Sequence, residues 1–248
     1  MEEFKLPIDE AKFRSTNGMW NRLMLNDPWS VGYVSTLIEL QEWESKEQWE
    51  QFYYANGEQR NALLGANADL LNDFSLVRLD PNKVKSLSWD LRNLNTQYGR
   101  TQLDLMERAK VLYQNTINNG FNLSLNDCYE CVRFRVICET WNGIIVRENN
   151  TIANLRGLFP YLEFRKSDGK KDHQYAVDYE VYRNGRLICG LQIKPPSYMW
   201  NAPYIQKARY ANAKKYEEYQ KAYGVPVYTI ISTNKGIINN TDILNKLK

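Results

Sequence analysis

The stretch from Tyr175 to Ser232 constrains the fold more than any other part of this chain. Two runs of strand-forming residues, Tyr175 to Tyr182 and Leu187 to Lys194, flank Arg183-Asn184-Gly185-Arg186, a tight-turn sequence whose Asn and Gly tolerate positive φ. Pro195 and Pro196 end the second run, because neither can donate to a ladder. From about Pro203 to Tyr223, Ile205, Ala208, Tyr216, Tyr219 and Tyr223 recur at helical spacing, with Gly224 suited to the C-terminal cap and Pro226 just beyond. Val225 to Ser232 then reads as an apolar strand of the kind buried on both faces of a parallel pair. A helix between two strands of one sheet requires a right-handed crossover.

Upstream, one helix is expected over about Asn126 to Trp141 and another over Ile144 to Leu155, separated by Asn142-Gly143. Leu158-Phe159-Pro160 stops the second. Tyr161 to Arg165 reads as a strand and Ser167 to His173 as a loop. The order is helix, three strands, helix, strand, which predicts an α/β (α+β) chain with a mixed central sheet. Residues 1–123 read as mainly helical. Val34, Leu37, Ile38 and Leu40 suggest one amphipathic helix, and Ser45 can cap a second that buries Trp49, Phe52 and Tyr53. Pro81-Asn82 opens a short segment. Thr101 can cap a long helix with the stripe Leu103, Met106, Ala109, Leu112 and Tyr113, ended by Asn118-Asn119-Gly120. The expected division is therefore 1–123, helical, and 124–248, the sheet-bearing core.

Composition narrows the chemistry. The chain of 248 residues is 43% hydrophobic and 25% charged, a globular balance, and a net charge of +3 is too small by itself to imply a polyanionic partner. No apolar leader or long apolar run is visible, so the expected compartment is the cytoplasm. Cys128 and Cys131 form a Cys-x-x-Cys, but Cys128, Cys131 and Cys138 fall on one helix face and nothing completes a tetrahedral zinc site, so buried reduced thiols are expected, Cys189 included. His173 is the single histidine. It excludes two-histidine metal sites and lies in a polar stretch. The reactive groups must be carboxylates, amides and lysines.

Asp178, Gln192 and Lys194 supply one of each. Gln192 follows Asp178 by fourteen positions and Lys194 follows Gln192 by two. Side chains alternate along a strand, so Gln192 and Lys194 share a face. Asp178 reaches that face only if the hairpin is irregular. A two-residue type I′ turn without a bulge would pair it with Leu191, on the wrong side. A type I turn with Gly185 in a G1 bulge, or a bulge at Gly190, would restore the parity. The constellation resembles the active site of the PD-(D/E)xK nuclease superfamily, in the variant with glutamine at the second acid; Val177 stands where that family's proline would be. The resemblance covers about residues 142 to 232. It implies hydrolysis of DNA phosphodiesters with Mg²⁺ held by Asp178, the Gln192 side-chain oxygen and the Ile193 carbonyl, and Lys194 positioning the attacking water. Glu148, six positions after Asn142, matches the family's helix glutamate, with Glu139 the competing choice.

Contacts with double-stranded DNA are expected from the segment after the lysine, Tyr198, Trp200 and Asn201, and from Lys207 and Lys214, which with Lys221 recur every seven residues. Gln97, Arg100 and Thr101 carry groups suited to base edges or phosphates, although a capped helix start explains them as well. No P-loop is present. Within the superfamily the chain is most similar to a type II restriction endonuclease, with an impression of the small enzymes that cut CTAG. That implies a homodimer on a palindromic site and a companion DNA methyltransferase. A repair or phage-defence nuclease of the same superfamily, and a non-catalytic nucleic-acid-binding protein, stay open as alternatives.

Overall fold

The computed structural model describes residues 1–25, 28–31, 34–65, 94 and 96–248. Apart from Met1, the chain divides into a unit from Glu2 to Trp141 and a unit from Asn142 to Lys248. Pro81-Asn82 lies outside the described residues.

The first unit is helical: α1 (Glu10–Ser15), α2 (Asn17–Arg22), α3 (Pro28–Val31), α4 (Val34–Ile38), α5 (Lys46–Gly65), α6 (Gln102–Asn118), α7 (Leu125–Arg133) and the single turn α8 (Glu139–Trp141), with a π-turn over Phe134–Cys138. The Ser45 Oγ accepts the Gln48 N–H at 3.2 Å, as an N-cap does, and Trp49 and Tyr53 are fully buried. Thr101 and Asp104 form a reciprocal capping box at the start of α6. Two details differ from the sequence reading. α4 ends at Ile38, leaving Leu40 exposed, and α6 buries Leu105, Ala109, Leu112 and Thr116 while Leu103 is 78% exposed. The 4-3-4 spacing of the buried set defines the core stripe, and Leu103, two positions before Leu105, points away from it. Cys128, Cys131, Cys138 and Cys189 are free and buried. Burial pushes the Cys128 thiol up to about 11 and the Cys138 thiol to about 12, which keeps both protonated and unreactive.

The second unit opens on a π-turn, Asn142–Val146, which runs straight into α9 (Arg147–Leu158). Asn142-Gly143 is thus a widened turn and not a helix break. The sheet follows: β1 (Leu162–Lys166), β2 (Tyr179–Arg183), β3 (Arg186–Lys194) and β4 (Val227–Ile231), in that spatial order. β1–β2 and β2–β3 are antiparallel, and β3–β4 is parallel across α11 (Pro203–Tyr223). The expected loop at Ser167 to His173 instead holds α10 (Gly169–Tyr175), capped by Asp168 and closed by Ala176 at φ 54°. β2 accordingly starts at Tyr179, four residues later than the hydrophobic run suggested.

Alternation splits the sheet. Leu162, Phe164, Tyr179, Val181, Cys189, Leu191, Ile193 and Ile230 join Ile152, Leu155 and Phe159 of the α9 region in one buried core. Each such side chain withdrawn from water contributes about 1.5–3 kcal/mol. The opposite face is polar. β4 is an edge strand in which only Ile230 and Ile231 are fully buried. Asn240 covers that edge, accepting the Ile231 N–H and donating to the Thr229 carbonyl, each at 2.8 Å.

Candidate active site

The hairpin between β2 and β3 decides the site. Asn184 and Gly185 have φ of 50° and 76°, the two positive values of a type I′ turn, and Arg183 pairs with Arg186. That turn alone would put Asp178 on the wrong face. The ladder, however, slips by one residue: Tyr182 pairs with Leu187 and Val181 with Cys189, which leaves Ile188 as a bulge. Neither the expected G1 bulge at Gly185 nor a bulge at Gly190 forms. Ile188 absorbs the mismatch, Tyr179 pairs with Leu191, and alternation carries Asp178 to the face of Gln192 and Lys194.

Asp178 is 8% exposed and its Oδ2 accepts the Ile193 N–H at 2.6 Å. Burial pushes its carboxyl above the ordinary aspartate range, against the pull of the Lys194 ammonium, the Ile193 N–H, a hydrogen bond with Asp172 and the charge of Lys166. Asp172 comes from α10, where the sequence predicts a loop. Lys166 also lies 3.7 Å from Glu148, which stands in the first turn of α9. Glu148 and Asp178 thus share one cationic neighbour. Glu139 belongs to the first unit, in the wall of a cavity with Leu6, Ile8, Phe13 and Phe134, where burial raises its carboxyl.

Gln192 is 2% exposed. Its Oε1 accepts the Asn212 Nδ2 at 3.0 Å and the Tyr216 hydroxyl, both from α11. Two positions beyond Asp178, Glu180 accepts from Lys171 (2.9 Å), Tyr219 (2.8 Å) and Tyr182 (2.9 Å). Burial pushes the Glu180 carboxyl up, and these three donors outweigh that, leaving it below the usual glutamate value. Lys171 is next to Asp172, so the Glu180 pair fixes α10 on the sheet beside Asp178. Asp172, Glu180, Lys166 and Lys171 were all missed in the sequence. Only Glu180 carried a signal, its two-residue spacing from Asp178.

The expected DNA contacts separate. Trp200 is 63% exposed, Tyr198 half-buried, and Asn201, Lys207 and Lys214 exposed, with the Lys214 Nζ 4.7 Å over the Tyr210 ring. In the first unit Gln97 is exposed, but Arg100 is 1% exposed, its Nη1 donating to the Tyr98 and Gly99 carbonyls at 2.8 Å, and burial lowers its guanidinium to about 9. Thr101 is the buried cap of α6. Among the described residues there is no cluster of three or more His, Cys, Asp or Glu, and no helix long and apolar enough to cross a membrane.

A mixed four-stranded sheet with α9 before β1, α10 between β1 and β2, and α11 crossing from β3 to β4 defines an α+β, restriction-endonuclease-like fold. Comparison with known families agrees: the chain belongs to the MjaI restriction endonuclease family, whose model matches residues 16–240. It is a type II restriction endonuclease, a site-specific deoxyribonuclease. Searches of the curated proteins and of the solved structures returned no match.

Proposed function

We propose that phosphodiester cleavage takes place on the sheet face carrying Asp178 and Lys194, with Mg²⁺ as cofactor and Glu148 at its margin. The observation that carries this reading is the Ile188 bulge, which brings the acid onto the face of the lysine. The donor set suits a hard cation. A buried Asp178 carboxyl with the Asp172 carboxyl hydrogen-bonded to it gathers hard oxygen donors where water is scarce, and a bound cation would displace the proton they share. Asp178 and the Ile193 carbonyl would hold the metal, with Asp172 beside Asp178 and Glu148 linked to it through Lys166. When bound, it neutralises charge on the phosphate and acidifies a water. Lys194 orients that water and stabilises the charge developing on the phosphate. The turn from half-buried Tyr198 to exposed Trp200 and Asn201, with Lys207 and Lys214, contacts the DNA backbone. A palindromic target implies a homodimer, and a host carrying such an enzyme needs a methyltransferase to protect its own DNA. The compartment is then the cytoplasm.

Supercoiled plasmid containing CTAG sites, incubated with Mg²⁺ or with EDTA, tests this. The wild-type chain should give discrete bands only with Mg²⁺. Asp178→Ala and Lys194→Ala should each lose about 100-fold or more in rate while melting normally and still binding DNA. Wild-type cleavage by either variant would place the chemistry elsewhere.

A further inference from the structure

Gln192 stands where an acid would be the ordinary metal ligand, yet its oxygen is already committed. A carboxamide oxygen has two lone pairs, and Asn212 Nδ2 and the Tyr216 hydroxyl fill both. The Tyr216 hydroxyl is itself 2.9 Å from Thr229 Oγ1, the residue paired with Gln192 across the parallel ladder. The second Asn212 N–H goes to the Tyr198 hydroxyl at 3.1 Å. Both donors to the Gln192 oxygen are thus held in place by a second hydrogen bond, Asn212 to Tyr198 and Tyr216 with Thr229. The end of the carboxamide that the described residues leave unused is its nitrogen.

We propose that Asn212 and Tyr216 are positioning residues that turn the Gln192 oxygen into α11 and present its –NH₂ to the DNA backbone, so that Gln192 is a phosphate donor and not a metal ligand. This rests on the active-site reading above. Tyr198 shares the arrangement. Its hydroxyl accepts from Asn212, so its own proton is left to donate, and it lies in the turn that ends at exposed Trp200. Two donors anchored on one asparagine, on either side of Lys194 in sequence, complement a group that only accepts and is anionic. It also accounts for an amide at this position, since an ionised acid there has no hydrogen to donate.

The test is a double-mutant cycle on duplex affinity, measured by fluorescence anisotropy in EDTA, so that no metal contributes. Gln192→Met, close to isosteric, should weaken binding roughly ten-fold, the worth of one hydrogen bond to a charged acceptor. Tyr216→Phe should weaken it less, and the double variant should bind like Gln192→Met alone, because Tyr216 acts through Gln192. Asn212→Asp, which keeps shape but cannot donate, should weaken binding too; as a half-buried helix position it carries the test if Gln192→Met melts early. Effects that multiply in the cycle, or an Asn212→Asp variant that binds like wild type, would overturn the proposal. So would calorimetry with Mn²⁺ alone in which Gln192→Met loses as much affinity as Asp178→Asn. If Asp178→Asn itself keeps its Mn²⁺ affinity, the active-site reading fails, whatever Gln192 does.

Discussion

Gly190 faces Glu180 across the hairpin, and the space beside it is already taken. A Cβ there would lie 3.0 and 3.1 Å from the two methyl carbons of Val177 and 3.3 Å from Tyr219 Cε1. Val177 is the residue before Asp178, and Tyr219 donates to Glu180, so the glycine sets how closely α11 and the start of β2 approach β3. Gly190→Ala should therefore cost about 1–3 kcal/mol, the usual penalty of overpacking, and lower the cleavage rate as Asp178 shifts. Thermal melting with a single-turnover assay checks both, and a variant indistinguishable from wild type would refute the role. At this scale much was legible beforehand. That Gln192 and Lys194 share a face could be read from the chain, because strand alternation is a strict period of two. Arg100 could not be placed, because an arginine that reads bases and one buried against its own backbone carbonyls look alike in one dimension.

Among the elements, β3, the turn and α11 lie within a residue or so of their sequence-derived bounds, since proline and glycine punctuate them. α10 was hidden. Its left-handed C-terminal residue is Ala176, not the glycine or asparagine that signals such a cap, and its sequence, Gly169 to Tyr175, is polar. The Ile188 bulge is the element on which the proposed site depends, and its position makes an unexpected demand. The pairs on either side of it, Tyr182 with Leu187 and Val181 with Cys189, are already those of a regular two-residue hairpin with one residue removed. Deleting Ile188 should thus keep Asp178 opposite Gln192 and preserve cleavage, at a cost of about 1 kcal/mol for the lost half-buried side chain. Deleting Ile193 instead would leave Lys194 on the wrong face. If the Ile188 deletion inactivated a chain that still folds, the register account would be wrong.

For the whole molecule, a 29.2 kDa chain with the site proposed on β2 and β3 would cut one strand at a time unless a second copy supplied the other. The proposed twofold homodimer on a palindromic duplex would resolve this. Sedimentation velocity should give a species of about twice the chain mass, and a monomer that persists with bound duplex would remove the dimer from the proposal. The strands, the turn, the crossover helix and hence the fold class are readable from the chain, because they follow from local periodicity and from proline and glycine. Only tertiary packing sets which face Asp178 occupies and which groups the Gln192 oxygen meets. The first depends on a one-residue mismatch between a turn that fixes Arg183 against Arg186 and a core that holds Val181 against Cys189. The second depends on Asn212 and Tyr216, brought to Gln192 by the packing of α11 on the sheet, and no spacing in the chain encodes that contact.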